Sequence, residues 1–189
     1  MDCWKQILNS RRSYSEIIKH PLPSQSGVYS FFLKSQEFPF FQLTDIYPEF
    51  SFDTPIYVGI SQKLARRDIF DHFEGESKKS TLRRTIGAIF CDDWKLQPIP
   101  RDNQGKASSY SHYSFTSEGK ISEWMHQNFT IGHCEIPYHA CNSLERELIQ
   151  QKQPVLNIQY SLNKKTIAIL KQVRKACAKK AREYDYPRH

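Results

Sequence analysis

Residues 26–33 read Ser26-Gly27-Val28-Tyr29-Ser30-Phe31-Phe32-Leu33, and after a polar and aromatic connection over 34–54 the chain continues Pro55-Ile56-Tyr57-Val58-Gly59. Both runs are rich in β-branched and aromatic residues, which suit a pleated, half-buried surface, so each predicts a short strand. Two such runs predict an antiparallel pair. Their connection contains Pro39 and Pro48 and is longer than a tight hairpin uses.

Working outward, residues 2–19 carry helical signals in Trp4, Ile7, Leu8, Ile17 and Ile18, with a break at Asn9 and Ser10 and a stop at Pro21 and Pro23. Downstream, 62–73 reads as a helix through Leu64, Ile69, Phe70 and Phe73, and Thr81–Phe90 as a second one capped by Ser80. Alternation predicts strands at Tyr110–Phe115 and Ile131–Ile136, with a short helix over Ile121–Asn128 between them. Asn142 and Ser143 are cap residues for a helix that runs to Lys152 before Pro154, and a last helix covers about 163–182.

The 189 residues are 39% hydrophobic and 25% charged, enough to bury a core, and no run approaches the roughly 18–20 apolar residues of a membrane span. The first residues lack the basic and apolar segments of a secretory signal, so the expected compartment is the cytoplasm. Net charge is +7 and concentrated: residues 161–189 hold nine Lys and Arg against Glu183 and Asp185, a surplus equal to that of the whole chain. Such a tail attracts polyanions through counterion release. Five cysteines at scattered spacings read as buried thiols rather than a disulfide framework. His133, Cys134, His139 and Cys141 fall within nine residues but lack zinc-ligand spacing, and Cys134 with Ile136 fits the inward side of a strand.

Gly27-Val28-Tyr29 and Tyr57-Val58-Gly59 resemble the paired tripeptides of the GIY-YIG nuclease family, and three further features extend the likeness. Arg67 stands eight residues after Gly59, where the family has an arginine; Leu144-Glu145-Arg146-Glu147-Leu148-Ile149 is similar to its closing motif; and Asn157 follows Glu145 by twelve positions, as the family's asparagine follows its glutamate. The resemblance runs from 26 to about 160. Residues 67–72, 80–88 and 121–128 also look like those of a bacterial subset of the family. The long 34–54 loop, the insertion and the basic tail lie outside the minimal module.

The resemblance implies an α/β (α+β) domain with a small central mixed sheet flanked by helices, over residues 26–160 with an insertion around 95–130. An N-terminal helical segment (1–25) and a basic C-terminal helix (161–189) flank it. It implies a metal-dependent endonuclease that hydrolyses DNA phosphodiesters and needs Mg²⁺ or Mn²⁺. Glu145 is the expected metal ligand, because a hard cation takes one carboxylate plus water and substrate oxygens; Leu148 and Ile149 share its helical face and aim it inward. The expected catalytic set is Tyr29, Tyr57, Arg67, His72 and Glu145. Tyr29 handles the attacking water with Tyr57 as a second hydrogen-bonding partner, Arg67 clamps a phosphate oxygen, His72 moves a proton, and Asn157 fixes backbone or hydrogen-bonds Glu145's surroundings.

Lys78, Lys79, Arg83 and Arg84 cluster near a helix start, and Lys171, Arg174 and Lys175 lie along the last helix; both groups are expected to contact the DNA backbone. Duplex cleavage would favour a homodimer, and a restriction or defence role fits a compact chain. Two rivals stay open: a catalytically silent nucleic-acid-binding module of the same fold, and an RNA-cleaving nuclease. A metabolic enzyme finds no phosphate-cradling glycine loop or dinucleotide fingerprint here.

Overall fold

The computed structural model describes residues 2–48, 50–66 and 71–185. In chain order the elements are α1 (Cys3–Asn9), β1 (Arg12–Ser13), α2 (Tyr14–Lys19), β2 (Gly27–Leu33), β3 (Tyr57–Ser61), α3 (Leu64–Arg66), α4 (Thr81–Ile89), β4 (Pro98–Ile99), α5 (Ala107–Ser111), β5 (Ser114–Phe115), α6 (Glu118–Asn128), β6 (Phe129–Glu135), α7 (Tyr138–Lys152) and α8 (Lys164–Arg182).

The main sheet has the order β1-β6-β2-β3, and every pairing in it is antiparallel. The fold is therefore the expected α/β arrangement, but among the described residues its sheet is antiparallel rather than mixed. The loop over 34–54 turns β3 back beside β2, and β6 returns on β2's other side, so no parallel crossover forms. Every residue of β2 is buried, as a strand with neighbours on both edges and layers on both faces must be.

Side chains alternate across a strand, so the register assigns each residue to a face. Tyr29 lies opposite Gly59 on one side and His133 on the other, and Phe31 opposite Tyr57 and Ile131. That face packs into the larger core with α4, α6 and α8 through Ile86, Met125 and Leu170. The opposite face carries Val28, Phe32, Val58 and Cys134 beneath Ile7 of α1 and Leu148 and Ile149 of α7. Helix α1 can lie this close because Gly132 is bare: a Cβ there would come within 1.9 Å of the Ile7 carbonyl oxygen.

The same approach overturns the all-thiol reading of the cysteines. Cys3 on α1 and Cys134 on β6 are paired as a disulfide, with their Cα atoms 5.6 Å apart. The two are 131 residues apart in sequence, and only the docking of α1 on β6 makes them neighbours. Cys91, Cys141 and Cys177 are buried thiols. Among the described residues no group of three or more His, Cys, Asp or Glu is placed to hold a metal.

Other boundaries move for local reasons. The segment 2–19 is two helices with β1 between them, breaking at Asn9–Ser10 as expected. Tyr110–Phe115 is the end of α5 followed by the two-residue β5, not one strand. Helix α7 begins four residues before Asn142, because Pro137 starts it, and Ser143 then bonds back to the Ala140 carbonyl at 3.0 Å. No helix among the described residues is long and apolar enough to cross a membrane.

Candidate active site

The site is built on the face of the sheet that carries Tyr29. The Tyr29 hydroxyl lies 2.6 Å from Nε2 of His72, and Nδ1 of His72 lies 2.7 Å from Oγ of Ser80. Ser80 is the N-cap of α4 and also accepts the Arg83 amide at 3.2 Å. A hydroxyl that accepts one bond still has its proton to give, so two protonation arrangements satisfy the chain. Either Ser80 donates to Nδ1 and Nε2–H donates to Tyr29, or Nδ1–H donates to Ser80 and Tyr29 donates to Nε2. The second points the phenolic proton at an imidazole acceptor.

The surroundings fix this chain. His72 is buried, with the ring of Phe31 edge-on at 5.5 Å and the ring of Tyr57 at 6.0 Å. Tyr29 leans across the strand pair, and its hydroxyl occupies the space over Gly59 where a side chain would be: a Cβ there would sit 2.4 Å from that oxygen. The glycine of the second tripeptide is therefore required by the tyrosine of the first.

Tyr57, half-buried, begins β3, and Asn157 sets the position of that strand. The Asn157 amide accepts from Val58 N–H and donates to Val58 C=O, both at 2.9 Å, while Leu156 N–H bonds the Ile56 carbonyl at 2.8 Å. Asn157 thus supports the strand that bears Tyr57, a more specific role than its spacing implied.

Glu145 is half-buried on α7, the helix that packs against β3 and β2. Among the described residues its carboxyl makes no ion pair and no hydrogen bond, and burial alone raises its pKa to about 7. Arg67 lies outside the described residues.

The basic cluster divides. Lys79 is exposed and Lys78 pairs with Glu76 at 2.9 Å. Arg83 and Arg84, expected to contact DNA, are instead inside the protein. Arg83 is 0% exposed; its guanidinium donates to the carbonyls of His72 and Phe73 at 2.9 Å, to Ser122 at 3.0 Å and to the Glu118 carboxylate at 2.9 Å. Arg84 donates to the Ser77 carbonyl at 2.8 Å and to Thr81 Oγ1 at 3.3 Å. The reason is that α4 is buried from Leu82 to Ile89, so its first turn cannot present a cationic face to solvent. On α8, Lys171 and Lys175 are exposed and Arg174 is half-buried.

The structure thus brings together Tyr29, Tyr57 and His72, adds Ser80 and Arg83 as their supports, and sets His133 directly across from Tyr29. Ser80 was legible only as a helix cap, and Arg83 only as a charge. Nothing in the linear sequence pairs either with His72. The buried Nδ1 of His133 has no partner among the described residues, and burial, followed by Arg12, pulls its pKa down.

One face of the antiparallel sheet thus carries two tyrosines on adjacent strands with a buried histidine behind them, while α7, which bears Glu145, packs against the other face. The sequence matches the GIY-YIG catalytic domain over residues 27–176, most of the chain, and the protein belongs to that family. It is accordingly a nuclease with a nucleic acid as substrate. No curated protein and no solved structure gave a match.

Proposed function

We propose that this nuclease is a divalent-metal-dependent endonuclease acting on DNA phosphodiesters. The observation that carries the reading is the buried chain from Tyr29 through His72 to Ser80, which gives the Tyr29 phenol a route for its proton. In this reading Tyr29 orients the attacking water and takes its proton as the phenolic proton passes to Nε2 of His72. The new P–O bond forms while the bond to the leaving oxygen breaks, and that oxygen takes up a proton from solvent, to which His72 later returns the one it received. Tyr57 supplies a second hydrogen bond, and Arg67, by the family resemblance, meets the charge that grows on the phosphoryl oxygens.

The residues present fit a metal ion. A half-buried carboxyl with no cationic partner, held near neutrality, is relieved by a divalent cation, which takes oxygen ligands and keeps several waters. Glu145 would hold it, and when bound the ion would neutralise phosphoryl charge and acidify water. Both Mg²⁺ and Mn²⁺ accept this ligand. A restriction or defence role, and a dimer for cutting both strands, are part of the same proposal.

The test is digestion of single- and double-stranded DNA and of RNA by the wild type and by Glu145→Ala, with Mg²⁺, Mn²⁺ or EDTA. Metal-dependent cutting of DNA that vanishes in the variant is expected, with discrete fragments if the enzyme is sequence-specific. Cutting of RNA alone would reassign the substrate. Binding of nucleic acid without any cutting would make the protein a silent binding module.

A further inference from the structure

Arg83 and Arg84 are adjacent and buried, yet their charges are met in opposite ways. Arg83 is answered by the Glu118 carboxylate at 2.9 Å. Arg84 is 4% exposed; among the described residues its Nη atoms reach only the neutral oxygens of Ser77, Lys78 and Thr81, and its buried Nε has no partner. Helix α4 packs on α8, where the Arg174 guanidinium opposes the charge of Arg84, and among the described residues no carboxylate pairs with it. Burial first, and Arg174 second, bring its pKa down to about 10, so it remains a cation at neutral pH.

Arg174 has no ion pair among the described residues. With Lys171 and Lys175 it lines a groove of about 380 Å³ whose remaining walls are Ser111, Ile158 and Ala178. Among the described residues no acidic residue lines this groove, and α4, which packs on α8, carries Arg84 one turn from Ser80, the partner of His72. A region with this much unanswered positive charge is built for an anion, and the apolar walls suit a sugar rather than a free ion.

Resting on the nucleic-acid substrate of this family, we propose that the groove is a backbone-phosphate subsite beside the candidate active site. Arg174, Lys171 and Lys175 grip a phosphate flanking the scissile one, and Arg84 supplies a fixed positive field from the protein side. Exposed lysines come and go with solvent, whereas Arg84 is held by backbone carbonyls and keeps its charge where the strand must pass.

The test uses the full chain carrying Glu145→Gln, expected on the proposed function to bind without cutting, and reads the affinity for a DNA or RNA duplex as salt is raised. Arg174→Gln is a partly exposed change and is expected to lower the slope of log affinity against log salt by about one, the signature of one lost phosphate contact. Arg84→Met is expected to weaken binding several-fold while Tm is kept or raised, because removing an unanswered buried charge leaves nothing ionic stranded. An unchanged slope in Arg174→Gln overturns the subsite while leaving the nuclease reading intact. So does a lower Tm with unchanged affinity in Arg84→Met. Absence of salt-sensitive binding to both DNA and RNA overturns the subsite and the nuclease reading together.

Discussion

The Tyr29 hydroxyl and the His72 imidazole are joined at 2.6 Å although 43 residues separate them, and the same imidazole is held from behind by the cap residue of α4. On the proposed mechanism, loss of either end interrupts one proton path. Tyr29→Phe and His72→Ala are each expected to reduce cleavage by about 10²–10⁴-fold, the usual worth of a positioned proton carrier. Ser80→Ala also removes a helix cap, so it should lower stability by about 1 kcal/mol alongside a smaller activity loss. Single-turnover cleavage with parallel thermal melts separates the two effects.

Gly59→Ala tests the geometry without touching a reacting group. A methyl at that position falls 2.4 Å from the Tyr29 oxygen, so the ring must move. The expected outcome is a kcat loss approaching that of Tyr29→Phe, with the fold kept by circular dichroism. A Gly59→Ala enzyme of wild-type activity would show that Tyr29's position over β3 is not used.

Glu145 gives a pH dependence whose sign is set by its raised pKa, about 7 against an ordinary 4.5. Between those values the folded protein binds more protons than the unfolded chain. Its contribution to stability is therefore full below about pH 4.5 and is lost as pH rises through about 7. In metal-free protein, Tm should fall from acid to neutral pH more steeply in the wild type than in Glu145→Gln. A divalent cation needs the deprotonated form, so raising Mg²⁺ should move the acid limb of the activity profile to lower pH.

Much of this arrangement was legible beforehand. The strands bearing Tyr29 and Tyr57 announce themselves through local composition, and the spacings to Glu145 and Asn157 survive because one helix and one turn connect them. What the sequence could not disclose depends on docking. A charge count cannot tell that α4 is buried, so Arg83 and Arg84 look like surface cations. The Cys3–Cys134 pairing, the Ser80 contact to His72 and the place of His133 opposite Tyr29 all join segments brought together only by the finished sheet.

Arg83 supplies a counterpart to its neighbour. Its removal leaves the Glu118 carboxylate, 18% exposed, without its cation and the carbonyls of His72 and Phe73 without donors. Arg83→Met is expected to destabilise the protein by about 3–5 kcal/mol, the range for breaking one side of a buried pair. Chemical denaturation of Arg83→Met and Arg84→Met side by side measures the contrast directly.

The double bond-exchange between Asn157 and Val58 has a consequence beyond the position of Tyr57. Strand β3 is the outermost of the main sheet, and its free side is an open invitation for another extended chain to add itself. The Asn157 side-chain amide stands in for the peptide group of a missing fifth strand, and Leu156 continues the imitation at Ile56. The sheet thus ends in a counterfeit strand made from its own chain, so backbone groups at Ile56 and Val58 that another strand could pair with are already taken.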